Sequence, residues 1–231
     1  MKNVLIILFL IITIHCNAQD KTMIITDESG AAYTSYDGPT KKISSFSELP
    51  FVIQLNINGY LKRILGSMSD SIQFTHGQEV DLKALFKKDS ITFNYFWVRP
   101  KYDLNFKLSD SSIGIKRYNL KLRLDEYGQL LDVNWPRQKY NDKSKFLSRE
   151  KIKQFALKHA KMKRYDTSTY LIFFGYDSAL DKLCWKFMFL DSGRIRTRYN
   201  DPVKEVYNVV FIDWNELRII REFQSENYSI S

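Results

Sequence analysis

Apolar residues recur at every second position over much of this chain. Leu120, Leu122 and Leu124 face one way while Lys121 and Arg123 face the other, the half-buried alternation of an antiparallel strand. The same period predicts strands in "SITFNYFWV" (90–98), "YDLNFKL" (102–108), "TYLIFFGYD" (169–177), "LCWKFMFLD" (183–191), "EVYNVVFID" (205–213) and "LRIIREF" (217–223). "FVIQLNING" (51–59) also alternates after its first pair and ends in Asn58-Gly59. A hairpin is expected there, with "YLKRIL" (60–65) returning. Asp125 and Gly128 bend the chain after the 118–124 strand, Gly128 supplying a positive φ.

Two stretches break the alternation. "SREKIKQFALKHAKMKR" (148–164) places Ile152, Phe155, Ala156, His159 and Ala160 on one stripe, with Ser148 as N-cap and Glu150 in the first turn; this predicts a helix. "GQEVDLKALFKKD" (77–89) predicts a shorter one, with Val80, Leu82, Leu85 and Phe86 sharing a side. Residues 19–48 are rich in Ser, Thr, Gly and Asp and read as an extended arm with a short strand at Met23–Thr26. The fold class expected is α+β: antiparallel sheets packed by one long and one short helix. The domains expected are an N-terminal unit over 50–135 and a second over 147–223, joined by the polar link "PRQKYNDKSK".

The first residues change the picture of where the protein works. A basic start, an apolar run from Val4 to Ile14 too short to span a bilayer, and the small residues Cys16 and Ala18 describe a secretory signal peptide over 1–18, cleaved after Ala18. The rival is a lipoprotein acylated on Cys16, although His15 and Thr13 suit that signal poorly. An exported protein of the periplasm or medium is expected, soluble after signal removal. The mature chain then keeps one cysteine, Cys184, and two histidines, His76 and His159. A lone cysteine makes no internal disulfide, so burial of apolar side chains has to hold the fold.

The net charge of +9 is spread along the chain, which suits a solvated basic surface. The polyanion candidates are Lys158 and Lys161 on the helix, with Arg194, Arg196 and Arg198 in "RIRTR"; acidic glycans or lipid headgroups rank above nucleic acid for an exported chain. Asp-Ser followed by an aliphatic residue or Ala marks Ser71, Ser90 and Ser178 as O-glycosylation candidates, being similar to the acceptor of an envelope glycosylation system. Catalytic signatures do not emerge. His76 and His159 have no partner at helical metal-site spacing, Cys184 has no local base, and the serine-hydrolase and phosphate-loop glycine motifs are missing. No cofactor, metal or catalytic residue is assigned. Asp213 and Asp125, each before a reversal, read as turn residues that accept backbone N–H bonds.

The order helix, three strands, turn, strand over 148–222, with the corner "FIDWNELRII", resembles the PepSY domain family. Ile212, Asp213, Ile219 and Ile220 match that family's closing hairpin; "SREKIKQFALKHA" looks like its helix and "KLCWKFMF" like its central strand. Leu217 stands where the family's turn has glycine. The resemblance implies a non-enzymatic binding or sensing module, one that restrains a secreted peptidase or contacts another envelope protein. "YNLKLRLDEYGQLLDV" (118–133) resembles "YNVVFIDWNELRIIRE" (207–222), which suggests two related units with the 80–86 segment as the first unit's helix; coincidence of two alternating hairpins is the alternative. The aromatic excess in "ITFNYFWV" and "YLIFFGYD" implies either exposed rings for binding or a second core layer between the units. The runner-up function is a secreted hydrolase using paired carboxylates in a cleft between units.

Overall fold

The structure is a computed structural model, and it describes residues 21–22, 39–88, 90, 100–137, 142–191 and 203–229. Among the described residues ten strands form two five-stranded sheets, in the orders β2-β3-β4-β5-β6 and β1-β7-β8-β9-β10. The first sheet contains β2 (Thr40–Ile43), β3 (Ile72–Val80), β4 (Tyr102–Asp110), β5 (Ile115–Leu124) and β6 (Leu130–Val133), all antiparallel. The second contains β7 (Tyr170–Asp177), β8 (Lys182–Leu190), β9 (Val203–Asp213) and β10 (Ile219–Ser229), also antiparallel, and β1 (Lys21–Thr22) lies parallel to β7. The fold is α+β. Each sheet is a helix followed by a four-strand meander, with one short strand from the N-terminal segment added beside the first strand of that meander.

The helix of the first unit is not where the sequence pattern put it. The expected hairpin over 51–65 is the helix α1 (Phe51–Leu65). Ile53, Ile57, Leu61, Ile64 and Leu65 are buried along it, the four-residue spacing of a helix stripe. Ile53, Leu55 and Ile57 mimic a strand, but Leu55 is 53% exposed, on the opposite side of the helix. Gly59, expected in a turn, lies inside the helix with nothing near its missing Cβ. The real stops are Pro50 at the N-cap and Gly66 at the C-cap with φ +55°, the asymmetry of proline before and glycine after a helix. The Val80–Phe86 helix is corrected likewise: Val80 ends β3, and the helix α2 (Leu82–Lys88) buries none of its residues. Within the stretch expected to be an extended arm, Thr40–Ile43 is β2 and Phe46–Glu48 is a helical turn closed by a Ser45–Glu48 capping box. Residues 1–18, the expected strand at 23–26 and the 90–98 strand apart from Ser90 lie outside the described residues.

The third helix, α3 (Arg149–Met162), starts at the Ser148 N-cap, whose Oγ accepts from the Lys151 N–H, and buries Ile152, Ala156, His159 and Ala160. One apolar cluster runs through both units. Tyr118 of β5 meets Phe174 of β7 edge to face at 5.9 Å and Trp135 at 5.4 Å. The Trp135 indole N–H donates to the Ile64 carbonyl at 3.2 Å, and Tyr118 Oη donates to the Asn134 carbonyl. The seam between the sheets is therefore filled with aromatic side chains.

Candidate functional site

The two units share a plan but not an outer surface. On the first sheet, the face opposite the core carries Asp103, Arg123 and Asp132 in one cross-strand row, with Arg123 Nε 3.4 Å from Asp103 and Nη1 3.9 Å from Asp132. Such a face is at home in water. On the second sheet the same face carries Leu171, Phe173, Met188, Leu190, Tyr207, Val209 and Phe211, a second apolar cluster separate from the main core. The strand β8 is consequently buried on both faces over most of its length.

One row of this face alternates ring and cation across four strands. Phe173 pairs with Lys186, Lys186 with Phe211, and Phe211 with Arg221. Lys186 Nζ lies 5.5 Å from the Phe173 ring centre and 5.8 Å from that of Phe211; Arg221 Cζ lies 4.5 Å from Phe211 and 5.4 Å from Phe223. Each such contact contributes roughly 0.5–1 kcal/mol at a solvent-exposed site. Phe223 stacks on Phe211 at 5.9 Å and is 41% exposed. Arg221 is fixed from one end by Asp177, Nη2 donating to Oδ2 at 3.0 Å. Four strands at about 4.8 Å spacing give a strip roughly 14 Å across, apolar between its charges. No local motif marks it, because its residues come together only through strand register.

The turn aspartates share one arrangement. Asp213, 1% exposed, accepts the Asn215 N–H on Oδ1 at 3.2 Å and holds Lys182 (3.1 Å) and Arg218 (3.3 Å) on Oδ2. Asp177 accepts from the Ala179 and Leu180 N–H groups and from Arg221. Asp110 accepts from Ser112 and meets Lys143 Nζ at 2.5 Å. Burial works against its charge, but the Lys143 and Ser112 bonds outweigh it and hold the Asp110 carboxyl below the usual range. Asp125 takes the Tyr127 and Gln129 N–H groups, and Gly128 in the same turn has φ +80°. Each carboxylate bends the backbone with one oxygen, and three of the four bond a neighbouring element with the other. Leu217 needs no left-handed backbone: the described non-glycine residues with positive φ are Arg164 and Asp181. The turn closes through Asp213 N–H to the Arg218 carbonyl and Arg218 N–H to the Glu216 carbonyl. Trp214 packs on Phe146 with ring centres 4.0 Å apart.

Sequence reasoning missed one ionisable cluster. Glu222 of β10 receives the Tyr165 hydroxyl at 2.5 Å, His159 Nε2 at 3.1 Å and, on its other oxygen, Lys163 Nζ at 3.8 Å. Burial raises the Glu222 pKa, but the bonds from Tyr165 and His159 and the nearby charge of Lys163 lower it further, so it lies below the usual carboxylate range. Burial and the same carboxylate push the Tyr165 hydroxyl up to about 12. The cluster fastens β10 to the end of α3. His159 and Glu222 are 63 positions apart, which no spacing rule detects.

The remaining candidates are scattered. Lys158 and Lys161 are exposed on α3, while Arg194, Arg196 and Arg198 lie outside the described residues. Ser178 and Ser90 are exposed, Ser71 is half-buried at the end of a helical turn, and His76 is exposed on β3. Cys184 is buried on β8. A groove of about 600 Å³ lies between the β4–β5 turn and the start of α3, lined by Ser109, Ser111, Ser112, Ser148 and Arg149. A second, of about 460 Å³, is edged by Glu79, Asp81 and Glu126 among Lys41, Lys83 and Lys101. There Glu79 pairs with Lys101 at 3.5 Å and Asp81 caps α2 through the Ala84 N–H. Among the described residues no helix is long and apolar enough to cross a membrane. Neither a protein-family model, nor a curated protein, nor a solved structure matches the chain.

Proposed function

We propose that this chain is an exported, non-enzymatic binding module of two related helix-and-meander units, the second PepSY-like, which engages a protein of the cell envelope through the outer face of its second sheet. The observation that carries this reading is the contrast between equivalent faces: Asp103, Arg123 and Asp132 on the first sheet against Phe173, Lys186, Phe211 and Arg221 on the second. The centre of this face, Met188 and Val209, is buried, and half-buried Phe173 and Phe211 with exposed Arg221 and Phe223 border it; such a border is suited to a protein contact, where aromatic residues and Arg contribute most. A secreted peptidase held in check is the partner class the PepSY resemblance favours. The aromatic seam of Tyr118, Trp135 and Phe174 speaks against a carboxylate hydrolase working in a cleft between the units. Acidic glycans and lipid headgroups fit the face less well, since Arg221 is engaged by Asp177.

The test is site-directed photocrosslinking in envelope fractions of the source cell. A benzophenone side chain at Phe211 is expected to label one protein species strongly, and the same probe at Asn105, on the first sheet's outer face, to label none. Equal labelling from both positions, or none from Phe211, overturns the assignment.

A further inference from the structure

Among the described residues the sheet edges are not alike. β2 and β6 are four residues long, and short strands are one way proteins keep an edge from recruiting other chains. The strand β10 runs for eleven residues, Ile219–Ser229, and among the described residues it is paired on one side only, to β9. Arg221, Phe223, Gln224 and Glu226 are exposed along it. It is also held from behind, because Glu222 is bonded to His159, Tyr165 and Lys163. A long, fixed strand edge is a ready template for another strand.

We propose that β10 pairs antiparallel with β10 of a second copy of this chain, about a two-fold axis through Phe223. The occupant follows from the register. In such a pair only residues of the same face oppose one another, so the axis passes through a residue. Axes at positions 222, 224 and 226 set Glu against Glu, and an axis at 221 sets Arg221 against itself. The axis at Phe223 opposes Arg221 with Ser225, Glu222 with Gln224, Ile220 with Glu226, and Phe223 with its copy, with no like charges facing. The axis at Ser225 also avoids like charges but leaves Phe223 opposite Asn227. The Phe223 register alone covers that exposed ring, and it continues the existing stack into the order Phe211–Phe223–Phe223–Phe211. Two five-stranded sheets become one of ten, and the aromatic and cationic strip doubles in width. This pairing is independent of what the outer face binds.

Sedimentation of the purified protein reads the association, and charge at position 224 tests the register. Gln224→Glu sets two carboxylate pairs face to face per dimer and is expected to weaken association by roughly 3- to 10-fold, whereas Gln224→Lys strengthens it. Gln224→Met removes the bond to Asn208 without adding charge and so reads any fold defect separately. Opposed residues in an antiparallel pair come within disulfide reach, and Cys184 is buried. Phe223→Cys is therefore expected to give an oxidised covalent dimer and Ser225→Cys not. A wild-type protein that stays monomeric, equal effects of the two charged Gln224 variants, or crosslinking through position 225 in place of 223 overturns the proposal. A monomer that takes up a foreign extended peptide at this edge overturns it as well.

Discussion

Tyr118 of the first sheet and Phe174 of the second meet edge to face, 5.9 Å between ring centres, and this contact makes one core of two meanders. Both are fully buried. Tyr118→Ala is expected to cost about 3–5 kcal/mol, as for other buried aromatic truncations. Because the cluster is shared, urea unfolding followed by tryptophan fluorescence and by far-ultraviolet circular dichroism gives one coincident transition in the wild type. Two separated transitions would show that the seam does not couple the sheets.

Glu222 gives the fold a pH dependence with a definite sign. Its folded pKa lies below the ordinary value, so its contribution is present above the unfolded carboxylate value and is lost as pH falls through the folded one. Wild-type protein is expected to exceed Glu222→Gln in stability by about 1–2 kcal/mol near neutrality. The gap narrows as pH falls below the ordinary carboxylate value and is lost through the lowered folded one. On the alkaline side Tyr165, pushed up to about 12, contributes below its ordinary value and loses that contribution as pH rises through the folded one. Urea midpoints across pH for the wild type, Glu222→Gln and Tyr165→Phe check both limbs.

Asp213→Asn keeps the Oδ1 acceptor for the Asn215 N–H but removes the charge that Lys182 and Arg218 share. Both cations are partly in solvent, so a loss of about 1–3 kcal/mol is expected, not that of a fully buried pair. Asp213→Ala removes the turn bond as well and should cost more. Equal unfolding midpoints for the two variants would show that the turn bond contributes nothing.

Gly128 stands at φ +80°, and a Cβ there would lie 2.7 Å from Ile53 Cδ1 and 2.9 Å from Asn56 Nδ2. The β5–β6 turn is thus pressed against α1, where Asn56 also donates to the Tyr127 carbonyl at 3.4 Å. Gly128→Ala is expected to destabilise by about 1–2 kcal/mol. Thermal unfolding reads it, and an unchanged midpoint would refute the close approach.

Export has its own readout. Protein recovered from the periplasm or medium of the source cell is expected to begin at Gln19, with Cys16 removed. An intact mass carrying an acylated Cys16 would establish the lipoprotein form, and retention of residues 1–18 in the cytoplasm would remove the basis for an envelope role.

The second unit was readable because its signals are local. Ile152, Ala156 and Ala160 sit at helix spacing, and β7 to β10 alternate between turns marked by Asp177 and Asp213. In the first unit α1 misled because Ile53 and Ile57 satisfy period two and period four together. Exposed Leu55 completed the false strand, and the decisive Pro50 and Gly66 lie outside the alternating stretch. The candidate face was not readable at all. Phe173, Lys186, Phe211 and Arg221 come from four strands, and their meeting depends on register that loop lengths and bulges decide. Tyr118-Asn119 and Tyr207-Asn208 agree in place only: both pairs lie on the third strand of a meander, but Tyr118 enters the main core and Tyr207 the outer cluster.

Lys21 lies beside Leu171 and Thr22 beside Ile172, neighbours in space separated by roughly 150 positions of chain. A ribosome delivers the earlier partner long before the later one exists. Until then the leading strand lacks the partner it has in the finished sheet, and the second sheet closes only late in synthesis. How long the early segment stays unpaired is then set by the pace at which the intervening chain is made.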